Sequence, residues 1–205
     1  MSINICIAGV AGRMGQRLLA LSQEDSELKL VRALEQFGHP WIGHDVGIVG
    51  GLGKELGTLV DHGLRPNCGI EVFIDFTTHA AATQHAEVAA ELGIPIVIGA
   101  TGLTDEEKKR VAEAAKLAPI IHSPNFSVGV NVLFKVAGMV ARTLGDGYDI
   151  EIVEAHHNQK ADAPSGTALG LAEVIAKGLD RDLKEVAVYG RHGLTGKRAS
   201  KEIGI

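Results

Sequence analysis

Two imidazoles, an ammonium and a helix start fall within one run, Glu154-Ala155-His156-His157-Asn158-Gln159-Lys160-Ala161-Asp162-Ala163-Pro164-Ser165-Gly166-Thr167-Ala168. Imidazole titrates near neutral pH, so such a pair can give a proton to a reacting carbon. Lys160 adds a fixed positive charge or a second acid. Beyond Pro164, the positions Ala168, Leu171, Ala172, Ile175 and Leu179 share one helical face. The first amides of that helix would point back toward the histidines and form an anion site. A proton donor, a cation and an anion cradle together suit a small acidic substrate. No Cys or acid stands at ligand spacing beside the His-His pair, so no metal is expected there. Asp162 reads as fixing its own loop.

A second chemistry lies at the other end of the chain, in Gly9-Val10-Ala11-Gly12-Arg13-Met14-Gly15. Three glycines at this spacing allow a tight turn, close approach of backbone to a pyrophosphate, and close packing of helix on strand. The context strengthens the reading: a strand precedes the turn, a helix follows it, and Glu35 stands twenty residues past Gly15 at the end of the next strand. An acid there can accept hydrogen bonds from adenosine ribose hydroxyls. Three further loops, Asp75-Phe76-Thr77-Thr78, Gly99-Ala100-Thr101-Gly102 and Ser123-Pro124-Asn125-Phe126-Ser127, follow later strands. Their hydroxyls and small residues suit ribose and nicotinamide, because open parallel sheets bind ligands at the carboxyl ends of their strands.

The elements that must position these groups alternate. Strands are expected at residues 3–8, 28–34, 72–75, 95–98 and 120–121, with helices at 13–21, 79–92 and up to about Lys116. The last of these helices starts at a capping box, Thr104 with Glu107. Residues 36–69 are dense in glycine and read as loop with a short helix or strand. This alternation means an α/β chain with a doubly wound parallel sheet. After Pro124 the character changes. A helix is expected over Val130 to Leu144, with Val132, Leu133, Val136, Val140 and Leu144 on one side. A strand at 149–155, a helix at 167–179 and a strand at 185–189 follow. The boundary falls near Phe126, giving a dinucleotide-binding domain at 1–125 and a second domain at 126–205.

Composition fits this picture. A hydrophobic content of 45% in 205 residues suffices for one substantial core or two modest ones. A net charge of −5 argues against a nucleic-acid partner. Cys6 and Cys68 form neither a zinc knuckle nor a disulfide framework, and Cys6 reads as a buried, inert thiol. The apolar run Ile3 to Val10 is too short for a membrane span and lacks the flanks of a signal peptide. A cytoplasmic protein without a membrane partner is expected.

Four stretches, Gly9–Gly15, Val72–Thr77, Asn125–Asn131 and Glu154–Ala168, resemble the 4-hydroxy-tetrahydrodipicolinate reductase family, long called dihydrodipicolinate reductases. The similarity runs from residue 3 to the end of the chain. It implies a Rossmann-type domain followed by an α/β substrate-binding and oligomerisation domain, here incomplete at its C-terminus. It also implies NADH- or NADPH-dependent reduction of a cyclic imine dicarboxylate in the diaminopimelate route to lysine, by a homotetramer. On this resemblance His156 is the general acid, and Lys160 is its partner, holding a carboxylate and sharing in proton delivery. His157 contacts substrate, and Gly166 and Thr167 donate to a carboxylate. The dinucleotide positions are Gly9, Val10, Ala11, Gly12, Arg13, Met14, Glu35, Gln36, Gly99, Ala100, Thr101, Ser123, Pro124, Asn125 and Phe126.

The sequence departs from the family pattern in places. Ala100 stands where members commonly carry Thr, and Gln36 where NADPH-preferring members tend to carry Arg. NADH is therefore expected to serve at least as well as NADPH. Members also continue beyond the position of Ile205, so either an altered oligomer or a disordered tail from about Arg191 is expected. Two other readings are a different aspartate-pathway dehydrogenase and a non-catalytic dinucleotide sensor. The first gives no reason for His-His-x-x-Lys before Pro-Ser-Gly-Thr.

Overall fold

A computed structural model describes residues 2–158, 160 and 163–205. Contacts divide the chain into two compact units, residues 1–123 and 124–205. The first is a six-stranded sheet with helices on both faces. Its strands are β1 (Ile3–Ala8), β2 (Leu28–Leu34), β3 (Val60–Asp61), β4 (Val72–Asp75), β5 (Ile96–Ile98) and β6 (Ile120–His122). They stand in the order β3-β2-β1-β4-β5-β6, every pair parallel. This is the Rossmann order, in which the direction of winding reverses between β1 and β4 and opens a crevice at their carboxyl ends.

Burial on both faces explains the apolar strands. Ile5 and Ile7 of β1 pack with Leu19, Leu30 and Val46 on one face, while Cys6 and Ala8 pack with Phe73, Ala82 and Ala86 on the other. Burial pushes the Cys6 thiol well above its ordinary range, so it is inert. The helices are α1 (Arg13–Glu24), α2 (Val46–Val49), α3 (His79–Glu91) and α4 (Asp105–Ala114). Thr104 and Glu107 form the expected reciprocal box at the start of α4. The glycine-dense segment contains both α2 and β3.

In the second unit, α5 (Val128–Leu144) packs on α6 (Gly166–Gly178) through small residues. A Cβ on Gly178 would lie 2.7 Å from the Gly138 carbonyl oxygen, and one on Gly170 would lie 3.0 Å from the Phe134 ring. The larger apolar side chains of α5, Val132, Leu133, Val136 and Val140, are about half exposed. Between α5 and α6 lies β7 (Ile150–Glu151); after α6 come α7 (Leu183–Val186), β8 (Ala187–Val188) and β9 (Ile203–Gly204), and the three strands form a small parallel sheet in the order β7-β9-β8.

This arrangement corrects three expectations. The strand expected at 149–155 has only two residues in its ladder, because its partner β9 has two; the Ile152 amide still donates to the Gly204 carbonyl at 2.9 Å. The strand expected at 185–189 begins as the short helix α7, because the Asp182 side chain caps the Lys184 amide. Disorder from about Arg191 is also overturned. Ile203 is fully buried against Ile152, Ala172 and Ile175. Arg191 and Arg198 both pair with Glu151 and Glu202 at 2.5 to 2.9 Å, which ties the last segment to β7. The last residues thus supply β9, which pairs with both β7 and β8.

Candidate active site

In the first unit, the turn after β1 carries three closely packed glycines into α1. Gly9 sits at φ +69°, which L side chains rarely adopt, and its amide donates to the Leu34 carbonyl at 2.8 Å. Gly12 caps α1 without a side-chain bond, so the amides of the first turn open outward. A Cβ on Gly15 would meet the Gly9 carbonyl oxygen at 2.0 Å, so only glycine lets α1 start this close to the strand. Arg13 and Met14 are exposed in that first turn, and Val10 is buried beneath it. The Ala11 amide donates to Glu35 Oε1 at 2.7 Å, which brings the acid at the end of β2 onto the glycine turn.

A cleft of about 770 Å³ opens there, walled by Gly9, Gly12, Glu35, Gln36, Thr77 and His85 among others. Its dimensions and its glycine floor fit a dinucleotide. Phe37, 84% exposed, stands on the rim with its ring edge-on to His62 at 5.3 Å. Neither ring was singled out by the sequence, where both fall in a glycine-rich stretch; the only signal is that an aromatic directly follows Glu35-Gln36. Gly99, Ala100 and Thr101 follow β5, and Ser123 follows β6, outside the walls of this cleft. A Cβ on Gly99 would collide with the Phe76 ring at 2.1 Å, and the buried Ala100 accepts from His122 Nε2 through its carbonyl at 3.1 Å.

In the second unit, the His-His run follows β7 without regular secondary structure and leads to α6. Gln159, Ala161 and Asp162 lie outside the described residues. His156 Nε2 bonds Glu154 Oε2 at 2.9 Å. The other Glu154 oxygen accepts the Ser165 amide at 2.8 Å, and the Ser165 hydroxyl donates to Oε2 as well. These bonds, His156 first and Ser165 next, hold the Glu154 carboxyl down at about 2. Ser165 also caps α6 by accepting from the Ala168 amide at 3.0 Å. Glu154 thus ties His156 to the start of α6. Residue type alone assigns Glu154 no role. The available signal was its spacing, since residues two apart on extended chain face the same way.

Lys160 closes a turn by donating its amide to the His157 carbonyl at 3.2 Å. Gly166 and Thr167 form the first turn of α6, where the helix itself supplies no partner for the amides. Thr167 Oγ1 accepts from Asn125 Nδ2 at 3.0 Å, and Asn125 in turn accepts the Ser127 amide that begins α5. The structure therefore brings together Asn125 and Thr167, which sequence spacing alone did not link. Pro124 and Phe126 flank Asn125 and are exposed. Among the described residues no group of three or more His, Cys, Asp or Glu could hold a metal ion.

Both halves of the chain match one family. Residues 3–126 match the family model described as dihydrodipicolinate reductase, N-terminus, and residues 129–205 match its C-terminus. The chain belongs to the dihydrodipicolinate reductase family. It is 46% identical to the 4-hydroxy-tetrahydrodipicolinate reductase of Anaeromyxobacter dehalogenans over 98% of this chain and 74% of that protein. It is 48% identical to the reductase of the same name from Desulfotalea psychrophila, over 98% and 75%. The dihydrodipicolinate reductase of Paenisporosarcina sp. TG-14, solved with dipicolinate bound, superposes with a TM-score of 0.71 at 26% identity, covering 100% of this chain and 77% of that one.

Proposed function

We propose that this chain reduces 4-hydroxy-tetrahydrodipicolinate to tetrahydrodipicolinate with NADH or NADPH, the 4-hydroxyl leaving as water, in the diaminopimelate route to lysine. One observation carries the reading: the glycine turn and the His-His-x-x-Lys run both fall within matches to a single reductase family. The bound dinucleotide supplies a hydride. The chain's own residues position the substrate and provide the proton. His156 gives its Nε2 hydrogen to Glu154, so Nδ1 of the imidazolium is the nitrogen from which a proton reaches the electron-rich carbon. Glu154, ionised down to about 2, supplies the countercharge for that imidazolium.

Lys160 and the Gly166 and Thr167 amides hold the substrate carboxylates, with His157 as a further contact. Glu35 takes the adenosine ribose, and Gln36 leaves the 2′-phosphate of NADPH without a countercharge. Residues 1–125 serve as the dinucleotide domain and 126–205 as the substrate domain. A homo-oligomer, with a tetramer as the family's form, is supported by the half-exposed Val132, Leu133, Val136 and Val140 of α5, which another copy would cover. Residues 128–147 are long and apolar enough to cross a membrane by length and composition, with mean hydropathy 1.3. The helix also carries Lys135 and Arg142 and packs on α6, which supports a cytoplasmic enzyme.

Steady-state oxidation of NADH, with substrate made in situ by the preceding synthase, tests the proposal. Substrate-dependent oxidation is expected. Tight NADH binding without turnover would instead favour a dinucleotide sensor.

A further inference from the structure

One buried acid beside the cleft has no part in the reaction described above. Asp75 ends β4 with no exposed surface. Three donors satisfy its two oxygens. The Thr77 amide and hydroxyl reach Oδ1 at 2.8 and 2.7 Å, and His85 Nδ1 reaches Oδ2 at 2.5 Å. Thr77 donates both of its bonds to Oδ1, so Oδ2 is left as the acceptor for a hydrogen on His85 Nδ1. His85 is held from behind by the Phe73 ring, 5.4 Å away and tilted. Thr77 then reaches the glycine turn: its Cγ2 lies 2.8 Å from where a Cβ on Gly9 would stand, so the methyl packs directly on the Gly9 backbone. Gly9 itself holds the left-handed conformation that shapes the phosphate cradle.

We infer that the His85–Asp75 pair is a positioning device for dinucleotide binding, which locks Thr77 against Gly9 and so fixes the phosphate-binding turn before the cofactor arrives. The physical cause is the cost of a buried carboxylate oxygen without a donor. If the His85 donor is removed, Asp75 Oδ2 loses its partner and the carboxyl rotates to find another, Thr77 loses its anchor, and the turn must be ordered at the expense of cofactor affinity. The chemistry served is a dinucleotide pyrophosphate, with NADH and NADPH affected alike, because the pair buttresses the glycine turn and carries no charge to the ribose.

The inference rests on the dinucleotide-binding reading, and its test separates the two. NADH and NADPH are titrated by fluorescence into the whole chain and three variants, and kcat is measured at saturating cofactor. His85→Phe keeps a ring against Phe73 and deletes the donor; Kd is expected to rise about tenfold for both cofactors while kcat changes less than twofold. His85→Gln restores a donor and should recover most of the loss. Thr77→Ser keeps both bonds to Asp75 but removes the methyl on Gly9, and should weaken both cofactors even if His85→Phe fails to fold. Wild-type affinity in His85→Phe, or equal losses in His85→Phe and His85→Gln, would overturn the positioning role, as would wild-type affinity in Thr77→Ser. Failure of the unaltered protein to bind either dinucleotide would overturn the functional reading itself, and this inference with it.

Discussion

Replacement of Gly15 by alanine sets two opposing effects against each other. Alanine is the better helix former, by about 1 kcal/mol relative to glycine. Its methyl, however, would stand 2.0 Å from the Gly9 carbonyl oxygen, 2.6 Å from Val10 Cα and 2.7 Å from the Gly9 carbonyl carbon. All three are backbone atoms, so no rotamer change relieves the overlap. An ordinary contact begins near 3.4 Å, so α1 must withdraw from the turn by about 1.4 Å. Overpacking of this kind costs about 1–3 kcal/mol, and the lack of a flexible neighbour places Gly15 at the upper end. The overlap therefore wins, leaving a net destabilisation of about 1–2 kcal/mol and a Tm lower by about 2–8 °C. The same withdrawal carries the first-turn amides away from the pyrophosphate, so NADH should bind at least about tenfold more weakly. Thermal unfolding and fluorescence titration of Gly15→Ala read both quantities. A variant with wild-type Tm and wild-type NADH affinity would refute the claim that α1 must approach the turn this closely.

Three other expectations are independent of that one. Glu154 has its carboxyl held down at about 2, so its contribution to stability is fully present above the ordinary carboxylate range and is lost as pH falls to about 2. The Tm difference between the wild type and Glu154→Gln should accordingly shrink from about pH 5 to about pH 2, and a difference constant over that window would contradict the assignment. If Glu35 takes the ribose as proposed, with neutral Gln36 beside it, NADH should bind at least as tightly as NADPH, and Glu35→Ala should narrow the gap; a tenfold preference of the wild type for NADPH would show that a cation, such as Arg13, dominates. Ile203→Ala removes a fully buried side chain from the central strand of the small sheet, at a cost of about 2–5 kcal/mol. Amide exchange at 187–188 and 203–204 should quicken, and unchanged protection would mean β9 does not hold that sheet together.

The parts legible in the sequence are those whose determinants are contiguous. The strand, glycine turn and helix at residues 3–24 lie within one short segment, and Thr104 with Glu107 announces α4 by itself. The second unit was less legible because strand length there depends on a remote partner. The run 149–155 is apolar enough for a long strand, yet only the two residues opposite Ile203 and Gly204 join a ladder. Nothing in the glycine- and charge-rich segment after Arg191 marks Ile203 as core; its burial depends on α6 and on Arg191 and Arg198 finding Glu151 about 40 residues away. The candidate site divides in the same way. His156, Lys160 and the glycine turn stand out by residue type, whereas Glu154 acquires a role only through Ser165, eleven residues on, and Asp75 only through His85 on the next helix.

The central claim is that His156 supplies the proton while the first unit holds the dinucleotide. Turnover and NADH affinity measured together on His156→Ala test it most directly. A positioned general acid contributes about 10²–10⁴-fold, so kcat should fall by about a hundredfold or more while the NADH Kd stays within about twofold of the wild type. A His156→Ala variant that turns over at nearly the wild-type rate would contradict the account and move the proton to His157 or Lys160.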